Sequence, residues 1–270
     1  MRLVNYSTAE GSRAGVLRDG RVFEVAGAPP GGLHALVEAG SLDAVEAGPE
    51  VADAELLPPI ERPGKVLGIG LNYRAHAEEG GREAPEMPTF FAKFANSLRA
   101  HGATVELPPW SSRIDYEAEV AFVIGDRCKD VPAERALEHV AGYTLLNDLS
   151  ARDYQFKTPQ WMPGKTFDGA APCGPALVTP DEAGPHDGIE IELTLNGELM
   201  QKSSTADLVH SVPALIAYLS KLMTLQPGDV VSTGTPAGVG SLRDPKVWLK
   251  PGDEVVISSP QLGLLETRLA

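Results

Sequence analysis

Apolar side chains line one whole face of the segment 114–125, while the polar positions of its other face are confined to one end. Successive residues of a strand point to opposite sides of a sheet. The uniformly apolar face consists of Ile114, Tyr116, Ala118, Val120, Phe122 and Ile124. Glu117 and Glu119 share the opposite face, which turns apolar at Ala121 and Val123. The pattern predicts a strand that is buried on both faces along one half and ends in two neighbouring carboxylates.

This carboxylate pair has two interpretations. Two carboxylates held close together repel, and each raises the pKa of the other unless a cation lies between them. A site made only of oxygen ligands suits a hard ion such as Mg²⁺, Mn²⁺ or Ca²⁺. An isolated Glu-x-Glu pattern is more often typical of the solvated face of an edge strand. Partner residues from elsewhere in the chain must decide between the two.

The first sixty residues have the pattern of a small unit of strands and one helix. Asp19-Gly20 separates two short apolar segments and predicts a hairpin turn. Leu33 to Ala39 predicts a short helix, and a proline-rich stretch follows near residue 60. We therefore expect a small N-terminal α/β domain over residues 1–60 and a main domain over residues 61–270.

Later patterns indicate further hairpins and helices. Asn196-Gly197 predicts a second hairpin turn. Residues 211–225 carry an apolar stripe at helical spacing, which we interpret as core, and Ser211 stands where it can cap the helix. A shorter helix is predicted over Val131 to Val140.

The polar segment that follows a buried-type strand at residues 65–70 carries His76 and Glu79. In a helix these two residues share a face, and a carboxylate there can orient the imidazole and raise its basicity, as a general base requires. Gly80 and Gly81 indicate that the helix is short and lies in a mobile loop. A solvated surface helix with an incidental histidine is the alternative.

Two further charged residues each have two interpretations. A short apolar strand over 141–146 runs into Asp148, which can supply a third oxygen ligand or cap a helix. Lys165 stands between Trp161 and Phe167. A buried ammonium there needs an anionic partner, whereas a lysine at the surface extends its stem to reach water.

Composition narrows the class of protein. The 270 residues are 43% hydrophobic and 22% charged, and 28 Gly and 23 Pro favour a strand-rich fold over a helical bundle. Lys and Arg number 23 against 37 Asp and Glu, a formal net charge of −14. This balance excludes a nucleic-acid-binding role, since no basic stripe neutralises phosphates. An anionic substrate would need a positive site within a negative field.

The remaining features predict a cytoplasmic protein. Two cysteines give no basis for a disulfide scaffold. The first twenty residues lack the basic and apolar regions of a signal peptide, and no apolar run is long enough to cross a membrane.

Five motifs occur in a fixed order: G-x-N-Y-x-x-H-A-x-E, D-Y-E-A-E, N-D-x-S-A-R-D-x-Q, G-K-x-F-D and T-G-T-P-x-G-V-G. Their order and content resemble the fumarylacetoacetate hydrolase family over roughly residues 60 to 270. The resemblance implies an α+β fold with a mixed β-roll or sandwich and flanking helices, usually a homodimer.

The resemblance also implies roles for ten residues. A divalent ion, Mg²⁺ or Mn²⁺ with Ca²⁺ possible, is the implied cofactor. By match to the family motifs, the metal ligands are Glu117, Glu119 and Asp148, the catalytic residues are His76, Glu79 and Lys165, and the substrate contacts are Tyr73, Arg152, Gln155 and Thr235.

The resemblance implies a 2-oxo acid substrate, and we expect hydrolysis of a C–C bond in a 2,4-dioxo acid. His76, held by Glu79, would deprotonate the attacking water, Lys165 and Gln155 would stabilise the oxyanion, and the metal would neutralise the enolate that leaves. Decarboxylation of an oxaloacetate-like acid and isomerisation of a 2-hydroxy-diene-dioate pass through a similar enolate. A non-catalytic, metal-stabilised binding protein is a further alternative.

Two departures from the founding hydrolase narrow the expected reaction. That enzyme has an additional acidic residue where this chain has Asn72, and it takes its glutamate partner from late in the chain, unlike Glu79 here. Both departures point to the smaller acylpyruvase, decarboxylase and isomerase members.

Overall fold

The computed structural model of the protein describes residues 1–270, with the exception of the side chain of Asp43. Strands dominate the chain. They are β1 (Arg2–Thr8), β2 (Gly11–Arg18), β3 (Arg21–Val25), β4 (Ala47–Val51), β5 (Leu56–Leu57), β6 (Val66–Gly70), β7 (Thr89–Lys93), β8 (Leu98–Arg99), β9 (Thr104–Val105), β10 (Ile114–Asp115), β11 (Ala118–Ile124), β12 (Val140–Asn147), β13 (Ser150–Ala151), β14 (Ala171–Val178), β15 (Glu190–Leu195), β16 (Glu198–Ser204), β17 (Val230–Ser232), β18 (Glu254–Ser259) and β19 (Gly263–Leu269).

The helices are short. The α-helices are α1 (Gly32–Glu38), α2 (Arg74–Glu79), α3 (Arg152–Gln155), α4 (Pro180–Ala183) and α5 (Val212–Leu222). The 3₁₀ segments are Leu42–Ala44, Ala95–Ser97, Ala133–His139, Met162–Gly164, Thr205–Asp207 and Gly240–Leu242. Among the described residues, no helix combines the length and the apolar character that crossing a bilayer requires.

The helix predicted over Val131 to Val140 is present over a shorter range, whereas the predicted side-chain cap of α5 is wrong. The segment Ala133–His139 is a 3₁₀ helix, in which side chains three apart eclipse, and Arg135 accordingly forms an ion pair with Glu138 at 2.8 Å. Ser211 precedes α5 but makes no capping hydrogen bond through its side chain. The helix instead has proline in its first turn, where a missing N–H costs nothing.

Most strands belong to one large sheet with the order β4-β3-β2-β1-β14-β12-β11-β17-β6-β7, with β5 beside β1 and β8 beside β14. A second sheet has the order β16-β15-β18-β19-β9, and β10 pairs with β13. The pairing of β6 with β17 is parallel, whereas β11 runs antiparallel to β12 and β17. The predicted α+β class with a mixed sheet is confirmed.

Both predicted hairpins are present. Asp19-Gly20 joins β2 to β3, and Asn196-Gly197 joins β15 to β16. In the N-terminal part, β1 pairs with β14, with Arg2 opposite Val178. Residues 1–60 therefore extend the main sheet, and their independence as a domain stays a prediction.

The centre of the main sheet is buried on both faces. Every residue of β11 and β12 is buried. This burial explains why β11 is apolar on both faces after Glu119. The predicted continuous strand over 114–125 is wrong in one respect, because Tyr116 and Glu117 interrupt it between β10 and β11. This interruption lies at the carboxylate pair.

Candidate active site and metal centre

Antiparallel pairing brings three carboxylates to one end of the central strands. Ala118, the first residue of β11, is opposite Asn147, the last residue of β12. Glu117 and Glu119 flank Ala118, and Asp148 follows Asn147 directly. Oxygen atoms of the three carboxylates lie within 4.8 Å of one another, and all three residues are buried. We call this group the carboxylate cluster.

Side chains hold the backbone where the strand is interrupted. The N–H of Tyr116 donates to Asp115 Oδ1 at 3.0 Å, and that of Glu117 donates to Asn147 Oδ1 at 3.3 Å. The N–H of Ala118 donates to Gln201 Oε1 at 2.9 Å. Buried backbone donors are thereby satisfied without a neighbouring strand, and the interruption leaves the Glu117 side chain free to point towards Asp148.

Three buried cations reach the carboxylate cluster. Lys165 Nζ lies 2.6 Å from Glu117 Oε2 and 2.7 Å from Asp148 Oδ2. Lys93 Nζ lies 2.6 Å from the other oxygen of Asp148, and Arg152 Nη2 lies 2.7 Å from Glu117 Oε1. Only 2% of the Lys165 side chain is exposed, so its ammonium is buried with anionic partners and does not extend to water.

The pKa values of the two glutamates move in opposite directions. Burial alone would raise the pKa of Glu117, but the charges of Arg152 and Lys165 outweigh it and lower that pKa to about 2. Burial raises the pKa of Glu119 well above its ordinary value, and the charges of Asp148 and Glu117 raise it further. Negative charge is therefore poorly compensated on the Glu119 side of the cluster.

The cluster fits a divalent cation. Its donors are all carboxylate oxygens, as hard ions prefer, and they are close enough to share one ion. Glu119 accepts hydrogen bonds from the Ser232 hydroxyl and from Gly234 N at 3.1 Å, which fix its carboxylate in place. An ion there would supply the positive charge that the surroundings of Glu119 lack.

His76 and Glu79 share one face of α2, as their spacing predicts. His76 Nδ1 lies 3.4 Å from Glu79 Oε2, and Gly238 N donates to both oxygens of Glu79 at 3.0 and 3.1 Å. Burial raises the pKa of Glu79, but its hydrogen bonds with His76 and Gly238 outweigh this and lower it. Because an ionised carboxylate only accepts, Nδ1 must carry the shared proton, and Nε2 of a neutral His76 is the free base.

A cavity of about 860 Å³ opens beside the cluster. The predicted site residues that line it are His76, Glu117, Glu119, Arg152, Gln155, Lys165 and Thr235. Apolar walls come from Phe91, Trp161 and Trp248. The two glutamate carboxylates, the imidazole and the amide and hydroxyl groups therefore line one cavity, as a small-molecule site requires.

Comparison with known proteins agrees with this arrangement. The family model for the C-terminal domain of fumarylacetoacetate (FAA) hydrolase matches residues 65–270. The chain belongs to the fumarylacetoacetate hydrolase family. The N-terminal 64 residues lie outside that match.

Members of the family with different activities resemble the chain. A mitochondrial oxaloacetate tautomerase of Xenopus laevis is 45% identical over 216 residues, which cover 79% of this chain and 68% of the relative. The structure of a fumarylacetoacetate hydrolase of Exiguobacterium antarcticum superposes with a TM-score of 0.88 at 33% identity, covering 100% of this chain and 99% of the other. The structure of a 5-carboxymethyl-2-hydroxymuconate delta-isomerase of Mycobacterium smegmatis superposes with a TM-score of 0.83 at 35% identity, again covering 100% of this chain and 99% of the other.

Three predicted residues, Tyr73, Glu79 and Asp148, do not line the cavity of this family member. Tyr73 is fully buried beside it, and burial together with the charge of Glu119 raises the pKa of its hydroxyl. The predicted substrate contact of Tyr73 therefore has no counterpart in the cavity lining. Asp148 belongs to the cluster but lies behind Lys93 and Lys165, which take up both of its oxygens.

Three residues of the site were missed at the sequence level. Lys93 ends the apolar run Phe90-Phe91-Ala92, and a charge in such a run was a usable signal. Asp115 pairs with Arg152 at 2.8 Å and belongs to the D-Y-E-A-E motif. Gln201 lies in a hairpin strand of the second sheet, where nothing in the local pattern indicates that it reaches the main sheet.

Proposed function

We propose that the protein is a metal-dependent tautomerase that interconverts the enol and 2-oxo forms of a dicarboxylic acid of the oxaloacetate type. The observation that carries this proposal is the His76–Glu79 pair, which presents a free imidazole nitrogen to the cavity beside the carboxylate cluster. The similarity to an oxaloacetate tautomerase and a delta-isomerase supports it. C–C hydrolysis, our expectation from the sequence, becomes the second candidate.

The reaction moves one double bond and two protons. The enol loses the proton of its C2 hydroxyl and gains a proton at C3, while the C2–C3 double bond becomes a C2 carbonyl. His76 Nε2 takes or returns the proton at C3, and Glu79 stabilises the imidazolium in between. A divalent ion held by Glu117, Glu119 and Asp148 would supply Lewis-acid stabilisation of the enolate charge.

The remaining lining residues bind and orient an anionic substrate. Arg152 and Lys165 place positive charge at the inner end of the cavity, and Gln155 and Thr235 offer hydrogen-bond donors there. Four more cations line the outer part: Arg82, Arg113, Lys157 and Lys246. None of these four forms an ion pair with a described residue, so they are available to the second carboxylate of a dianion.

Hydrolysis of a 2,4-dioxo acid stays a candidate because the same His76–Glu79 pair can activate a water molecule. Decarboxylation would use the same enolate. A homodimer, a cytoplasmic location and the choice of Mg²⁺ or Mn²⁺ also stay predictions, and the Xenopus relative is a mitochondrial protein.

The experiment follows enol loss from oxaloacetate with Mg²⁺ in the wild type and in two variants. His76→Ala should lower kcat at least about 100-fold, since general-base catalysis typically contributes that much, and should leave Mg²⁺ affinity unchanged. Glu117→Gln should lose both metal binding and activity. His186→Ala removes a histidine outside the cavity and serves as the matched control.

Two results would contradict the proposal. The first is a His76→Ala enzyme that turns over oxaloacetate at the wild-type rate. The second is a higher kcat/KM for cleavage of acylpyruvates than for the tautomerisation of oxaloacetate, which would restore hydrolysis as the function.

A further inference from the structure

Gln201 connects the second sheet to the active site. It lies in β16 and only 2% of it is exposed. Its Oε1 accepts from Ala118 N at 2.9 Å, and its Nε2 donates to Thr235 Oγ1 at 2.9 Å and to Pro236 O at 2.8 Å. Ala118 stands between Glu117 and Glu119, so one side chain joins the carboxylate cluster to the loop that carries Thr235.

The orientation of the Gln201 amide is fixed by its partners. A backbone N–H can only donate, so the atom that faces Ala118 must be the oxygen. A carbonyl oxygen can only accept, so the atom that faces Pro236 must be the nitrogen. Both assignments agree, and both amide protons of Nε2 are then used, one on Pro236 O and one on Thr235 Oγ1.

This fixed amide decides where the Thr235 hydroxyl proton points. Because Thr235 Oγ1 accepts a hydrogen bond from Gln201, its own proton must go to another acceptor. No described residue accepts it, and Thr235 lines the cavity. The hydroxyl therefore presents a donor to the cavity, where a substrate carboxylate oxygen is an acceptor of the right kind.

We propose that Gln201 is a positioning residue that turns the Thr235 hydroxyl into a dedicated donor for the carboxylate next to the 2-oxo group. Through Ala118 it also sets the distance between that donor and the carboxylate cluster. The inference rests on the proposed function, in which Thr235 contacts the substrate carboxylate. Gln201 itself does not touch the substrate.

A double-mutant cycle tests the proposal, with pyruvate as the probe at saturating Mg²⁺ and binding measured by calorimetry. Gln201→Glu keeps an acceptor for Ala118 but replaces the donor to Thr235 with an acceptor, so the threonine proton turns away from the cavity. Gln201→Glu and Thr235→Val should each weaken pyruvate binding about tenfold, the loss expected for a hydrogen bond to a charged group. The double variant should bind no more weakly than Thr235→Val alone.

Turnover of oxaloacetate provides a second readout, in which KM should rise while kcat changes little. Thr235→Ser, which keeps the hydroxyl, should bind pyruvate more tightly than Thr235→Val does. Gln226→Glu introduces the same charge at an exposed glutamine and is the matched control. If Gln201→Glu does not fold, Gln201→Met takes its place in the same cycle.

Two outcomes would overturn the proposal. If the Gln201 substitution weakens binding as much in the Thr235→Val background as in the wild type, Gln201 acts independently of the hydroxyl. If Thr235→Val binds pyruvate normally, Gln201 has no carboxylate donor to position. The tautomerase function itself is judged separately, by the loss of turnover in His76→Ala.

Discussion

At the scale of single residues, the decisive contrast is between Glu117 and Glu119. Both are buried, yet two cations reach Glu117 and lower its pKa, whereas Glu119 faces hydroxyl and amide donors and the charges of its acidic neighbours. Glu119 is therefore the carboxylate of the cluster that holds a proton most readily when no metal is bound.

Metal binding should release a proton from Glu119. A raised pKa means that the metal-free protein carries this proton over a wider pH range, and the ion must displace it. Mg²⁺ affinity should therefore fall as the pH is lowered, with up to one proton released per ion. Calorimetry in two buffers with different protonation enthalpies measures the release, and equal enthalpies in both buffers would contradict it. Glu119→Gln, which removes a ligand, should bind the ion more weakly, and any binding that remains should release no proton from this position.

The raised pKa of Glu119 also makes the stability of the metal-free protein depend on pH. The unfolded chain, with an ordinary glutamate pKa, binds fewer protons than the metal-free folded protein in the window between the two pKa values. The contribution of Glu119 to the free energy of unfolding of the metal-free protein therefore decreases as the pH rises through that window.

Sequence patterns predicted the residues of the cluster but not its neutralisation. Alternation in the strand placed Glu117 and Glu119 on one face, and the ordered motifs added Asp148 and His76. The ammonium of Lys93 was missed because its partner is distant in the chain and the pairing of β6 with β7 and β17 brings it there. The alternation of residues in a strand shows which side chains share a face of the sheet. It does not show which charged residues from elsewhere in the chain contact them.

At the scale of elements, close backbone packing places Lys165. The turn Met162–Gly164 lies against α3, and a Cβ on Gly164 would lie 2.5 Å from both Ala151 O and Gln155 N. Both atoms are backbone and cannot yield without moving α3. The approach that only glycine permits here therefore positions Lys165 and Gln155 relative to each other.

Gly164→Ala should disrupt this packing. We expect a loss of about 1–3 kcal/mol in the free energy of unfolding, as is usual for overpacking, and a fall in activity because Lys165 shifts from Glu117. Urea denaturation measures the first and the oxaloacetate assay the second.

Gly188→Ala is the matched control, since a Cβ there meets nothing closer than 3.7 Å. Its stability and activity should equal those of the wild type. Equal stability of Gly164→Ala and Gly188→Ala would contradict the packing argument.

Local patterns predicted hairpins and the longest helix, α5, because turn residues and apolar stripes are local signals. They did not predict the interruption at Tyr116 and Glu117. Asp115, the neighbour of Tyr116 in the chain, accepts from Tyr116 N, but the N–H groups of Glu117 and Ala118 donate to Asn147 and Gln201, which approach only once the sheets have formed. The sequence around Glu117 and Ala118 does not indicate that the side chains of Asn147 and Gln201 will accept these hydrogen bonds.

At the scale of the whole molecule, a protein with a formal net charge of −14 encloses a cavity rich in cations. The expectation that an anionic substrate needs a local positive site agrees with the lining by Arg113, Lys157 and Lys246. Net charge acts over long distances and is screened within a Debye length of ~8 Å at physiological salt, whereas the cavity cations act at contact distance. The two fields have opposite effects on a dianion.

Salt should reveal which field dominates. If the cavity cations do, kcat/KM for oxaloacetate should fall about two- to tenfold between low salt and ~0.15 M, and Lys246→Gln should weaken this dependence. Lys250→Gln removes an exposed lysine outside the cavity and should leave it unchanged. A rate that rises with salt would show that repulsion by the whole protein prevails.

Composition and turns predicted a strand-rich fold, and the family resemblance implied its α+β class, but neither predicted how the first sixty residues attach to the main sheet. A proline-rich stretch suggested a boundary near residue 60, yet β1 lies between β2 and β14 in the main sheet. The strands β1 and β14 are far apart in the chain, and their pairing depends on how their edges fit together in the folded protein. The local sequence of either strand does not indicate it.

The ammonium groups of Lys93 and Lys165 are counterions to the carboxylates of Asp148 and Glu117. With them in place, Asp148 and Glu117 remain compensated when the divalent ion departs, so a chelator should inactivate the protein without denaturing it. Under the proposed function, the ion would then enter and leave a site that is already folded, and the supply of the metal in the cell would set the fraction of the protein that is active.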